Sequence, residues 1–97
     1  QYVIRANRSE AQQFMLDVAN REEEYLLTNR QYTSSLADLR LTVPPHIQSF
    51  YSGITLTKTD SPPAYTITAT PRSGTIQARD AALTLTSQGV KTPADKW

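Results

Sequence analysis

The sequence offers few side chains that could be activated for catalysis. It contains one histidine, His46, no cysteine, and carboxylates that lie mostly along a single predicted helix. Nucleophilic and general acid–base catalysis need a nucleophile held beside a base, and the order and spacing of these residues indicate no such pair. His46 directly follows Pro44 and Pro45, a context typical of an ordinary surface residue. The sequence therefore predicts a non-enzymatic structural or interaction module.

The sequence also lacks patterns for metal or cofactor binding. One histidine and scattered acids form no recognisable coordinating cluster, and the three glycines cannot build a phosphate-binding loop. We therefore expect no metal and no cofactor. Asn7, Arg8 and Ser9 match a glycosylation sequon, but they lie inside the predicted helix where a loop would be expected, so we interpret the match as chance.

Charge and aromatic content do not indicate a nucleic-acid-binding protein. Ten Lys and Arg against nine Asp and Glu leave a net charge of +1, with no basic block. Tyr and Arg side chains could stack on and clamp a nucleic acid strand, but they are dispersed along the chain. The sequence leaves this function open without favouring it.

The first third of the chain predicts one long amphipathic helix over residues 1–30. This stretch contains no Gly and no Pro, and its apolar residues recur at spacings of three, four and seven. The side chains of Glu22–Glu24 point to different sides of the helix, and all three are expected to be solvated. The residues predicted to pack on the rest of the domain are Ile4, Ala11, Phe14, Met15, Val18, Tyr25 and Leu26.

Residues 31–50 are predicted to connect this helix to an antiparallel sheet and C-terminal loop over residues 51–97. Apolar and Thr residues alternate with a period of two in the second half, as expected for strands with one solvated face. The alternating segments are Ile54–Thr57, Tyr65–Ala69 and Leu83–Thr86. Because 97 residues allow only one core, we predict a single α+β domain in which the helix packs on a meander of about four strands.

The order of these motifs resembles the type IV pilins, and most closely their minor, PilE-like branch. The resemblance covers nearly the whole chain. The residues that carry it are Gln1–Arg5, Glu24, Tyr25, Asn29, Tyr32–Leu39, Tyr65–Pro71, Gln77, Asp80, Leu83–Leu85, Gly89, Lys91–Pro93 and Trp97.

The resemblance implies a structural pilus subunit that acts in assembly, motility, attachment or DNA uptake. Family members begin with a hydrophobic, methylated segment that anchors them in the inner membrane and later forms the filament core. The resemblance therefore implies that this chain is a fragment lacking that segment. It also implies other pilin subunits and the inner-membrane assembly machinery as partners. The protein would then lie in the inner membrane with a periplasmic domain, and later in the extracellular pilus of a Gram-negative bacterium.

The sequence departs from many PilE-like pilins at its C-terminal region. In those proteins a disulfide closes this region, with one Cys after the position of Asp80 and the other just before the terminal Trp. Here Ala81 and Ala82 follow Asp80, and Lys96 precedes Trp97. We therefore expect packing or hydrogen bonds to hold the C-terminal loop.

Apolar residues also occur on the predicted back of the helix, where Tyr2, Leu16 and Leu27 lie nearly opposite the core-facing residues. One hypothesis is that this face contacts neighbouring filament subunits. In the other, these are ordinary isolated surface residues, and Leu27 packs beneath the connector. The residues assigned to the filament-packing face are Tyr2, Ala6, Ser9 and Leu16.

Three alternatives remain open at this point. The first is a pseudopilin of a type II secretion system, although no acidic C-terminal loop resembles the calcium site of the major pseudopilins. The second is a small periplasmic binding or inhibitor module, since helix-over-sheet folds also occur in that class. The third keeps the pilin assignment and adds DNA or surface adhesion.

Overall fold

One long helix forms the spine of the domain. The computed structural model describes residues 2–97, so the predicted helix position Gln1 lies outside the described residues. Helix α1 runs from Tyr2 to Asn29 without a Gly or Pro to interrupt it. At about 1.5 Å per residue it is about 42 Å long, which accounts for the longest dimension of the domain, 41 Å. Within residues 2–97, no helix has both the length and the apolar character needed to cross a membrane.

A connector with two short helical segments leads from α1 to the sheet. A 3₁₀ turn spans Ala37–Leu39, and helix α2 spans Pro45–Phe50. Pro45 occupies the first position of α2. Proline has no N–H, but at this position the N–H would have no partner within the helix, so no helical hydrogen bond is lost. The connector places Ile47 in the core and delivers the chain to the first strand.

The sheet contains four antiparallel strands in sequential order. Their bounds are Tyr51–Asp60 for β1, Pro63–Pro71 for β2, Leu83–Thr86 for β3 and Lys91–Thr92 for β4. A 3₁₀ turn at Ile76–Arg79 lies between β2 and β3, and another at Ala94–Lys96 follows β4. The predicted α+β architecture, a helix on an antiparallel meander of four strands, is confirmed.

The two faces of the sheet differ as the alternation predicts. Leu56 pairs with Ile67, and Ile67 pairs with Leu85, so apolar side chains line up across the face that α1 covers. Threonines line up across the opposite face, because β-branched residues suit a pleated, half-solvated surface. One row of paired threonines contains Thr55, Thr68, Thr84 and Thr92. The other row contains Thr57, Thr66 and Thr86.

The core lies between α1 and the apolar sheet face. Five of the helix residues expected in it, Ile4, Ala11, Phe14, Met15 and Val18, are buried. Tyr25 and Leu26, the other two, are only partly buried and pack against the margin of the core. At this point along α1, the helix packs against the connector and no longer against the sheet.

Candidate functional site

An ion pair links the first half of α1 to the segment that precedes β3. The guanidinium of Arg8 donates from Nε to Oδ2 of Asp80 at 2.7 Å and from Nη2 to Oδ1 at 3.0 Å. The Asp80 side chain is 3% exposed. Two parallel charge-assisted bonds of this kind fix both position and orientation.

The amide of Gln77 extends this contact into the interior. Its Oε1 accepts from Nδ2 of Asn7 at 3.1 Å, while its Nε2 lies 3.0 Å from the Ile4 carbonyl and 3.1 Å from the Tyr51 hydroxyl. Thr75 caps the 3₁₀ turn that carries Gln77, because its hydroxyl accepts from the Gln77 backbone N–H. We call Asn7, Arg8, Gln77 and Asp80 the Arg8 clamp.

The ion pair and burial together set the protonation states of the groups in and beside this clamp. Burial alone would raise the pKa of Asp80, but hydrogen bonds from Arg8 and from the Ala81 backbone, with the charge of Arg8, outweigh it and lower the pKa. The hydrogen bond to Asp80 in turn raises the pKa of Arg8. Burial raises the pKa of Tyr51 to about 12. At neutral pH the clamp therefore holds a full ion pair beside a neutral phenol.

The C-terminal segment, residues 93–97, is held beside this clamp without a disulfide. Nε2 of Gln12 donates to the Lys96 carbonyl at 2.8 Å, and Nε1 of Trp97 donates to the Thr92 carbonyl at 3.0 Å. The Trp97 ring packs against the core, and Nζ of Lys91 lies 5.5 Å from its centroid, within cation–π range. Packing and hydrogen bonds thus hold the segment, as expected from the missing cysteines.

Four basic residues lie in the segments that form the clamp and the C-terminal region of the domain. We define the basic surface as Arg5, Arg79, Lys91 and Lys96. Arg5 lies one helical turn before Arg8, and Arg79 directly precedes Asp80. Lys96 lies close enough to Asp80 for its charge to lower the pKa of that carboxyl. The first three side chains are exposed and Lys96 is half-buried.

A second clamp joins the other half of α1 to the connector. Three consecutive helix residues take part: Nη1 of Arg21 donates to the Leu39 carbonyl at 2.9 Å, Oε1 of Glu22 accepts from the Thr33 backbone N–H at 3.0 Å, and Oε2 of Glu23 accepts from the Tyr32 hydroxyl at 3.0 Å. We call this set the connector clamp.

Glu22 corrects the expectation that the run Glu22–Glu24 is solvated. Glu23 and Glu24 are exposed, but the Glu22 side chain is completely buried. Its Oε2 has no hydrogen-bond partner within residues 2–97. Burial raises the pKa of Glu22, although the hydrogen bond from Thr33 opposes that rise. The prediction was wrong at Glu22 because the connector folds back over that side of the helix.

Three of the four helix residues assigned to filament packing are on the exposed side of α1. Tyr2, Ala6 and Ser9 are exposed, while Leu16 is partly buried against the margin of the core. Leu27 lies on the same helical side and is 85% exposed, so it does not pack beneath the connector. Tyr2 is 79% exposed.

The other residues singled out in the sequence have local structural roles. Asn7 is buried and bound to Gln77, which leaves its amide inaccessible to a glycan. His46 lies in the first turn of α2 with Nδ1 3.0 Å from Oε1 of Glu10, and its ring packs edge-on against Phe50. Among the described residues, no group of three His, Asp or Glu could hold a metal ion.

Comparison with known proteins identifies the family of this domain. Residues 1–86 match the family model described as "Type IV minor pilin ComP, DNA uptake sequence receptor". The chain belongs to this ComP family. Its fold is also similar to the solved structure of a type IV pilin from Shewanella oneidensis, with a TM-score of 0.71 and 26% sequence identity. That alignment covers 94% of this chain and 92% of the other. No curated protein matches the chain.

Membership of the ComP family confirms the resemblance to type IV minor pilins and makes the chain a structural pilus subunit. It implies assembly with other pilus components and a location in the cell envelope or pilus. The family and the fold are those of structural proteins. The match favours a pilin over both the pseudopilin and the binding or inhibitor module.

Sequence reasoning missed the two clamps. Gln77 and Asp80 contributed to the resemblance, but nothing in the sequence gave them a role, because their partners on α1 lie 70 and 72 positions away. The available signal was weak: a polar residue, Asn7, falls between Ile4 and Ala11 on the predicted core face, and a core-facing amide needs a hydrogen-bond partner.

Proposed function

We propose that this chain is a non-enzymatic minor pilin whose basic surface binds double-stranded DNA. The name of the matched family, DNA uptake sequence receptor, supplies the ligand class. The observation that carries the proposal is that Lys91 and Lys96 lie beside Trp97 and Asp80, while Arg5 and Arg79 are within three residues of the two members of the ion pair. Lys and Arg side chains that neutralise phosphates provide most of the affinity in sequence-independent DNA binding.

The distribution of charge supports this choice of surface. A net charge of +1 hides a segregation along the molecule. Residues 2–12 and 72–97, which meet at the Arg8 clamp, contain six Lys and Arg against three Asp and Glu, a formal charge of +3. Residues 13–71, which include the connector clamp, contain four Lys and Arg against six Asp and Glu, a formal charge of −2. Near the basic surface the carboxylate of Asp80 is neutralised by Arg8, and the exposed acid Asp95 lies close enough to Arg8 for its charge to help raise the pKa of Arg8. A duplex is therefore attracted to one end of the domain.

Fluorescence anisotropy of a labelled random-sequence DNA duplex tests the proposal. We expect binding at low salt, with a log–log salt slope of about −3 if three or four phosphates are contacted. Lys91→Gln should flatten the slope by about one unit. Arg30→Gln, which removes an exposed cation at the other end of α1, is the matched control and should leave it unchanged. Absence of binding at low salt, or equal effects of the two substitutions, would contradict the proposal.

We also propose that the outward side of α1 packs against neighbouring subunits in the pilus. Tyr2, Ala6, Ser9 and Leu16 form this face, and Leu27 extends it toward the connector. The observation in favour is that the two most exposed large apolar side chains, Tyr2 and Leu27, lie on it. A neighbouring subunit packed along this side of α1 would remove both side chains from water, which is favourable.

Incorporation of the full-length protein into sheared filaments tests this second proposal. Leu16→Glu should reduce the fraction of the protein found in filaments even where the isolated domain remains folded. Leu16→Met is the matched control and should leave that fraction unchanged. Unchanged incorporation together with unchanged stability would remove Leu16 from the interface. The proposal includes an inner-membrane location with a periplasmic domain before assembly and an extracellular location afterwards. It also includes a contribution to motility, attachment or DNA uptake.

A further inference from the structure

Asp80 lies where the first half of α1, the 3₁₀ turn at Ile76–Arg79 and the C-terminal segment meet. Its backbone N–H donates to the Gln77 carbonyl at 2.9 Å, which fixes it at the end of that turn. Its buried carboxylate accepts both bonds from Arg8. Lys96, near the opposite end of the chain from Arg8, lies close enough for its charge to act on the same carboxylate.

The contacts of α1 connect Asp80 mechanically to the exposed cations. Arg8 and Gln12 are one helical turn apart, so they lie on the same side of α1. Arg8 holds Asp80, and Gln12 holds the carbonyl of Lys96. Trp97 follows Lys96, and its ring lies beneath Nζ of Lys91.

We propose that Asp80 is a positioning residue for DNA binding: by holding Arg8 and attracting Lys96, it fixes the C-terminal segment so that Lys91 and Lys96 meet the phosphate backbone together. This inference rests on the proposed DNA-binding function. Asp80 itself does not touch the DNA, and Arg8 contributes through Asp80 because Nε and Nη2 already donate to it.

The proposal predicts an effect opposite in sign to that of charge alone. Asp80→Asn raises the net charge from +1 to +2, which by itself strengthens binding to a polyanion. If Asp80 positions the segment, the same substitution should instead weaken binding of a random-sequence DNA duplex by about three- to tenfold and flatten the salt slope by about one unit.

Asp95→Asn is the matched control. It makes the same change in charge on an exposed side chain within the C-terminal segment, and it should strengthen binding by about twofold. Lys96→Gln should weaken binding in the wild-type background but have little further effect with Asp80→Asn, because the two residues then act as one unit. Asp80→Glu keeps the charge and should restore part of the affinity.

The chain contains one tryptophan, so Trp97 reports directly on the segment. With Asp80→Asn we expect acrylamide to quench Trp97 fluorescence more strongly while the far-ultraviolet helix signal is retained. If this variant loses its helix signal, Gln12→Leu replaces it, because that substitution leaves every charge in place and removes only the bond to Lys96. It should also expose Trp97 and weaken DNA binding.

Three results would overturn the inference, and one of them is specific to the proposed function. If the wild-type domain shows no salt-dependent binding of the duplex, the proposed function fails and the positioning role fails with it. If the wild type binds and Asp80→Asn binds as tightly as Asp95→Asn, only the positioning role fails. The same holds if Gln12→Leu exposes Trp97 without weakening DNA binding.

Discussion

Two buried carboxyl groups at opposite ends of α1 have opposite pKa shifts. Asp80 is bound to Arg8 through both oxygens, and its pKa is lowered. Glu22 is more deeply buried, but it accepts one bond from a neutral backbone N–H, and its pKa is raised. Burial acts in the same direction on both, so the cation decides the difference. One clamp is therefore strongest when its acid is charged, and the other when its acid is neutral.

The largest expected effect comes from removing the cation that distinguishes the two clamps. Arg8→Ala leaves Asp80 buried without its partner and should lower the free energy of unfolding by about 3 kcal/mol. Chemical denaturation monitored by circular dichroism measures this change. Arg5→Ala removes an exposed cation one turn earlier and should change stability by less than about 0.5 kcal/mol. Similar losses for the two variants would show that the pair contributes little.

The second-largest loss of stability is expected in the connector clamp, at Tyr32. Tyr32→Phe removes the hydroxyl that donates to Glu23 and should destabilise the domain by about 1.5 kcal/mol, since hydrogen bonds to charged groups exceed neutral ones. The Tyr32 ring also packs edge-on against Tyr65 at 4.8 Å, and that contact is retained in the variant. Tyr25→Phe, at a partly buried tyrosine on the same half of α1, is the control. A neutral outcome at Tyr32 would mean that the ring alone anchors the connector.

A substitution at Glu22 should stabilise the domain. Glu22→Gln keeps an oxygen for the Thr33 N–H and removes a buried charge, so we expect a gain of about 1 kcal/mol at neutral pH. Because the folded pKa of Glu22 is raised, its contribution to stability is greatest below the ordinary value of 4.5 and is lost as the pH rises through the folded value. The gain should therefore disappear in acid.

The contribution of Asp80 to stability depends on pH in the opposite direction. Its folded pKa is lowered, so its contribution is present above the ordinary value of 3.8 and is lost as the pH falls through the folded value. Urea denaturation of Glu22→Gln and Asp80→Asn across the acid range should tilt the stability curve in opposite directions. Parallel curves for these two variants would refute the contrast between the clamps.

The smallest effect on stability is expected on the outward side of α1, away from both clamps. Leu27 is 85% exposed, so Leu27→Glu should change the free energy of unfolding by less than about 0.5 kcal/mol. If this side packs against neighbouring subunits, incorporation of the full-length protein into filaments should fall nonetheless. Thr28→Glu, at the next exposed position, is the matched control. A large loss of domain stability would show that Leu27 belongs to the fold and not to an interface.

Periodic features of this fold could be predicted from the sequence, and pairwise polar contacts could not. The helix and the Thr alternation of the strands repeat over many residues, so each is specified many times over. Glu22 interrupts no pattern, and its burial depends on a connector that folds back from eleven positions away. Asn7 matched a sequon, while its actual partner lies 70 positions later in the chain. The basic surface was missed for the same reason, since its cations are dispersed in sequence, and Lys96 approaches Asp80 only in the fold.

The unequal formal charges of the two regions, +3 for residues 2–12 and 72–97 against −2 for residues 13–71, give this domain an electric dipole. Because the positive region includes the Arg5 end of α1, we expect the positive pole at that end of a molecule 41 Å in extent. A polyanion within about a Debye length, about 8 Å at physiological ionic strength, therefore exerts a torque on the domain as well as a pull. We expect this torque to turn the Arg5 end of the domain toward the polyanion before any side chain makes contact, and added salt to shorten the distance over which this alignment operates.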